Sequence, residues 1–191
     1  MIAGFKVVAR AVRRLNHQSH LYVWGNVLWL LLALPLVTST AAWMALFKLG
    51  YLIPRQPGVT MDEFWSTFRA LWRKGIPLAL INLVVIYVNG TNLLLFWNSP
   101  GLLALALRIS WIIVLLTWFA IQLYAYPLYF AMDKPTFIGA FRNAVVMLLQ
   151  NPGFSLIILL VATVFGVLGM LVPPILLLLS GGAVAVLANA A

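Results

Sequence analysis

The sequence predicts an all-α protein: a polytopic transmembrane helix bundle of about six membrane segments, paired as three hairpins, with amphipathic interfacial helices between them. Three observations carry that expectation. Hydrophobic residues make up 64% of the chain and charged residues only 8%, against ~25% charged in a soluble domain, so little polar material is left to cover a water-facing surface. Long apolar runs recur, separated by short Pro- and Gly-containing breaks. The charge is lopsided, with 12 Lys and Arg against 3 Asp and Glu, the bias that collects basic residues on the cytoplasmic side of a membrane. The 191 residues suit one transmembrane domain over 1–191, divided as 1–53, 54–127 and 128–191, each a surface helix followed by a hairpin.

The first surface helix has Phe5, Val8, Val12 and Leu15 on one face and Lys6, Arg10, Arg13 and Arg14 opposite. The apolar run from Leu21 to Phe47 follows. As one helix it would be about 40 Å long at ~1.5 Å per residue, too long without steep tilt. As a signal peptide ending at Ser39-Thr40-Ala41 it would have an unusually long basic leader. As a hairpin it has arms His20–Leu34 and Ala41–Ile53 around a turn at Pro35–Thr40, whose hydroxyls satisfy freed backbone groups.

The second surface helix is Thr60–Lys74. Thr60 and Glu63 have capping-box spacing. Asp62 and Glu63 sit at the positive end of its dipole, and Arg69, Arg73 and Lys74 at the negative end. Met61, Phe64, Trp65, Phe68 and Trp72 share one face, the pattern of a helix lying in the headgroup layer. Spans Ile76–Trp97 and Leu102–Pro127 follow, joined by Asn98-Ser99-Pro100-Gly101. In the third unit, Phe137, Phe141, Ala144 and Leu148 face away from Arg142, Asn143 and Gln150. Its spans are Gly153–Leu171 and Ile175–Ala190, joined at Pro173-Pro174. Pro77 and Pro152 open corresponding spans of the second and third units.

Charge arbitrates between the topologies. With six segments and a cytoplasmic N-terminus, every basic residue except Arg108 falls on the cytoplasmic side; five segments would divide them between both sides. A re-entrant first hairpin gives the same charge distribution. The expected location is the cell (plasma) membrane, multi-pass, with the lipid bilayer as partner. Anionic lipid at the cytoplasmic face would meet Lys6, Arg10, Arg13, Arg14, Arg69, Arg73, Lys74 and Arg142.

The residue inventory argues against chemistry. Asp62, Glu63 and Asp133 are the only carboxylates, and none lies in a predicted span, where a proton relay would need one. No spacing assembles an acid–base pair or a nucleophilic triad, so no catalytic residue is assigned. There is no cysteine, and the pair His17 and His20 lacks further ligands, so neither metal nor cofactor is expected. No nucleic-acid-binding motif is present. Arg108 is the one charge within a span, at a depth similar to Asn92, with Asn89 one turn deeper. With Asn82 and Gln122 these form the only candidate ligand site or polar path. The alternative is an Arg108 that snorkels to headgroups and an Asn92 that bonds between helices. Gly166, Gly169, Gly181 and Gly182 are expected at close helix contacts. Trp24, Trp72, Trp97 and Trp118 serve as interface anchors or as packing.

The stretches NVLWLLLALPLVTSTAAWMAL, FWSTFRALWRKGIP and FRNAVVMLLQNPGFSLIIL resemble the YesL-like family of bacterial integral membrane proteins. The resemblance runs through nearly the whole chain as diffuse hydrophobic and aromatic patterns. It implies an accessory role beside ABC-type carbohydrate uptake and carries over no site residues. The charged tail expected of the family does not follow Ala191 in this sequence. The expected function is therefore a non-enzymatic accessory or scaffold protein, with an ABC-type sugar transporter as partner. The alternative is a small transporter or lipid flippase using a polar path near Arg108.

Overall fold

The computed structural model of the chain describes residues 19–172 and 180–190. Among these, seven α-helices and no strands are found: α1 Ser19–Ala33, α2 Ser39–Leu52, α3 Asp62–Phe96, α4 Leu102–Ala131, α5 Phe137–Gln150, α6 Pro152–Leu171 and α7 Gly181–Ala190. The expected N-terminal surface helix with Lys6, Arg10, Arg13 and Arg14, His17, and the Pro173-Pro174 turn lie outside the described residues.

The run from Leu21 to Phe47 is broken, as a hairpin requires. Pro35 cannot donate to a helical ladder, and Leu36 takes a left-handed φ of 62°. The turn closes through Leu36 N–H to Ala33 O (2.9 Å) and Ser39 N–H to Leu36 O (3.0 Å). The Thr38 hydroxyl donates to Leu32 O, the backbone satisfaction expected of this turn. Trp29 and Trp43 meet across the hairpin with ring centroids 4.2 Å apart.

The second arm becomes the centre of the molecule. Ten of the 14 residues of α2 are buried, and the helix packs against α1, α3, α4 and α7. Its sequence, STAAWMALFKLGYL, has small residues that let neighbours approach and no polar stripe, as befits a helix enclosed on all sides.

Among the described residues, two helices, α3 and α4, are long and apolar enough to cross a membrane, and a third crossing results if α5 and Pro152–Leu168 of α6, bent by 111° at their junction, count as one span. This corrects the six expected segments. The arms α1 and α2 have 15 and 14 residues, about 22 Å at ~1.5 Å per residue, short of the ~30 Å hydrocarbon core.

The surface helix expected at Thr60–Lys74 is not a separate element. It runs straight into the following span as the 35-residue α3, with Pro77 inside it. Most of its aromatic face turns into the protein: Phe64 is fully buried, and Met61, Trp65 and Phe68 pack on the same core, whereas Trp72 stays exposed. The capping box also resolves differently, since the Thr60 hydroxyl accepts from Asp62 N–H (3.3 Å) and donates to the Asp62 carboxylate (3.1 Å). In α5, Ala140 and Ala144 are buried, with Phe137, Phe141 and Leu148 packed beside them. The second and third units differ at their prolines. Pro77 lies within a continuous helix, whereas Asn151, held outside the α region (φ −132°, ψ 60°) before Pro152, ends α5, since a following proline disfavours the α conformation.

Beyond the packed body, α3 and α4 continue as a hairpin with exposed apolar side chains, including Leu80, Val84, Ile86, Leu94, Leu103 and Ile113. Its tip turns at Gly101, whose φ of 99° and ψ of 160° are open essentially only to glycine.

Candidate functional site: a polar cluster between α3 and α4

Where α3 and α4 leave the packed body, four polar side chains meet. Asn82 on α3 donates from Nδ2 to Gln122 Oε1 at 3.2 Å. The indole N–H of Trp118 donates to Asn82 Oδ1 at 3.0 Å. The Tyr126 hydroxyl donates to Gln122 Oε1 and also faces Thr40 of α2. Trp118, Gln122 and Tyr126 are four residues apart on α4, so one helix face presents all three to Asn82. The cluster carries no charge. It is bordered by a cavity of about 30 Å³ walled by Trp43, Phe47, Phe119, Leu123 and Val184 with Gln122 and Tyr126, room for about one water. In an apolar medium such a network holds two helices in one register.

Of the five residues expected on a polar path, only Asn82 and Gln122 come together. Asn92 donates to its own helix at Val88 O (2.7 Å), which corrects the expected interhelical bond. Asn89 does likewise to Val85 O (2.7 Å). Arg108 donates from Nη1 to Trp97 O at 2.8 Å and from Nε to Ala104 O at 3.3 Å. It thereby occupies a carbonyl freed at the end of α3, as a basic group at a helix C-terminus does. Tyr126 is not among the residues expected at the site, and Trp118 and Thr40 are expected in other roles; the i, i+4 spacing of Trp118 and Tyr126 about Gln122 is the available signal for those two.

Gln122→Leu is expected to cost about 1–3 kcal/mol, because it removes the acceptor shared by the Asn82 amide and the Tyr126 hydroxyl in an apolar setting. Adding Tyr126→Phe to it should recover part of that loss, as it removes one stranded donor. Thermal unfolding in detergent micelles measures both.

A second polar junction ties the chain's late helix to its early one. Asn26 of α1 is fully buried, and its Oδ1 accepts from Gly182 N–H at 3.2 Å, one of the N–H groups that the start of a helix leaves unpaired. Asn189 at the other end of α7 donates to Phe47 O at 3.1 Å. Gly181 and Gly182 do lie at close contacts, against Asn26, Trp29 and Tyr22, whereas Gly166 faces open space, contrary to expectation.

Among the described residues, the basic side chains other than Arg108 lie away from the hairpin tip. Arg69, Arg73, Lys74 and Arg142 are exposed, with Arg73 over the Trp72 ring at 4.9 Å. Lys48 lies 5.0 Å from the Phe130 ring, and Arg55 lies 4.0 Å from the Tyr51 ring. Trp24 and Trp97 are exposed, whereas Trp118 is spent on the polar cluster.

No curated protein and no solved structure matches the chain. Residues 22–93, which run from the first turn of α1 almost to the end of α3, match the family model described as "Protein of unknown function, DUF624", so over the first hairpin and the first long span this chain is similar to that family.

Proposed function

We propose that this protein is a non-enzymatic accessory or scaffold component of the cell membrane, a YesL-like protein that serves ABC-type carbohydrate uptake. The observation that carries the reading is how its intramembrane polar groups are used. Asn82, Gln122, Trp118 and Tyr126 bond one another, and Asn89, Asn92 and Arg108 bond backbone carbonyls. A transporter needs polar groups that face a path and exchange partners with a solute. The cluster and Arg108 join α3 to α4, and the Asn89 and Asn92 amides donate within their own helix, while the α3–α4 hairpin keeps broad apolar faces exposed for lipid or another protein's helices. The carbohydrate link comes from the family resemblance alone.

In this reading the N-terminus is cytoplasmic, the α1–α2 hairpin is re-entrant, and the basic end lies against the anionic inner leaflet. The cysteine-free sequence makes sidedness directly measurable. Ser66→Cys is expected to react with an impermeant maleimide only after the membrane is opened, and Ser99→Cys in intact cells. The reverse pattern would overturn the orientation.

The function is tested with the full chain crosslinked in its native membrane and, separately, reconstituted alone. A sugar-importer permease in the crosslinked product, with no solute flux through the reconstituted protein, is the expected result. Solute or lipid translocation by the protein alone would favour the transporter or flippase reading instead.

A further inference from the structure

A groove of about 680 Å³ lies between α3, α4 and α5, with Lys74 and Arg142 among its lining residues. The other lining side chains are apolar, and no carboxylate reaches it. We infer that this groove holds one anionic phospholipid, with its phosphate between Lys74 and Arg142 and an acyl chain along Leu78, Ile81 and Trp118.

The argument begins with α3. Lys74, Leu78 and Ile81 lie on successive turns of one face, so the groove starts at a cation and continues for about 10 Å over apolar wall, at ~1.5 Å per residue. Arg142 on α5 adds the second cation. Two basic groups suit a phosphate diester better than a neutral headgroup. A water-soluble anion would gain nothing from the apolar wall, and an uncharged hydrocarbon nothing from the cations; a phospholipid uses both. The volume falls within the usual ~300–1,000 Å³ of small-molecule sites. The flank is open, since Ile81 and Ile138 are exposed, which lets a bilayer lipid enter sideways.

The inference rests on the membrane placement proposed above but needs neither a protein partner nor a given orientation. The test therefore uses the full chain in neutral detergent, where neither is present. The protein is stripped of lipid and titrated with phosphatidylglycerol or phosphatidylcholine carrying brominated acyl chains, and tryptophan quenching is read. Saturable quenching by phosphatidylglycerol at one lipid per chain is expected, at about tenfold lower concentration than phosphatidylcholine requires. K74Q/R142Q should bring the two lipids level. Val145→Trp, which fills the groove from its exposed rim, should abolish the saturable component. Glycerol phosphate, which lacks acyl chains, should not compete. Equal quenching by both lipids in the unaltered protein would overturn the inference. So would an undiminished preference in K74Q/R142Q, or in K74Q and R142Q singly should the double variant not fold. Full competition by glycerol phosphate would assign the cations to a soluble anion and overturn it too.

Discussion

Gly181→Val is expected to unseat the C-terminal helix. A Cβ at this position would lie 2.5 Å from Asn26 Oδ1 and 2.8 Å from Cε3 of Trp29. Neither neighbour can yield easily. Asn26 is fully buried and accepts the Gly182 N–H, and the Trp29 ring is wedged against Trp43. Overpacking a filled site costs about 1–3 kcal/mol even for one added methylene, and displacing Asn26 strands a buried N–H besides. A loss of about 3 kcal/mol or more is therefore expected for valine, with alanine falling between it and glycine. Unfolding in mixed micelles measures the loss, and protease sensitivity confined to the last helix would show where the damage lies. Unchanged stability would mean that α7 does not dock on α1 through this contact.

Phe47→Ala should cost about 3–5 kcal/mol, the usual range for deleting a buried aromatic ring. Phe47 is 1% exposed and stands at the middle of an aromatic chain, 5.7 Å from Trp43 and 5.2 Å from Tyr126 between ring centroids. In a membrane the loss does not come from exposing apolar surface to water. It comes from contacts forfeited across a void, since packing and not hydrophobicity joins helices there. Phe47→Leu keeps part of that packing and should cost roughly half as much. The enlarged void would also border Gln122 and Tyr126, so the variant is expected to admit water to the polar cluster, seen as faster exchange of the Trp118 indole proton. A loss below 1 kcal/mol would show that the body can collapse onto the gap.

The particular residues explain what was legible before the structure. Pro35 and the hydroxyl residues after it announced the first turn, and Pro100-Gly101 the second, because both act through local backbone chemistry. The left-handed Leu36 was not foreseeable, as leucine carries no signal for it. The aromatic face of 60–74 was read correctly as a face but assigned to headgroups. Helical periodicity identifies an apolar side without saying whether lipid or protein covers it, and here Met61, Phe64, Trp65 and Phe68 join the protein core while Trp72 stays exposed. Lys74-Gly75-Ile76-Pro77 looked like a boundary, yet the helix continues through it, with Gly75 set against Thr40 and Ala41 of the central helix. For the candidate site, Asn82 and Gln122 were singled out as polar residues in apolar runs. Their pairing, and the recruitment of Trp118 and Tyr126, depend on how α3 and α4 are rotated against each other, which local sequence does not encode.

The unbroken course of α3 makes it a strut. It spans 35 residues, about 52 Å at ~1.5 Å per residue, from an acidic foot among basic neighbours to the turn that Arg108 braces. A tilt imposed at Arg69 must reappear at Trp97, magnified by the length between them. Only Pro77, where the ladder lacks one rung, offers a place to flex. Whatever grips the charged foot thus holds a handle on the far tip.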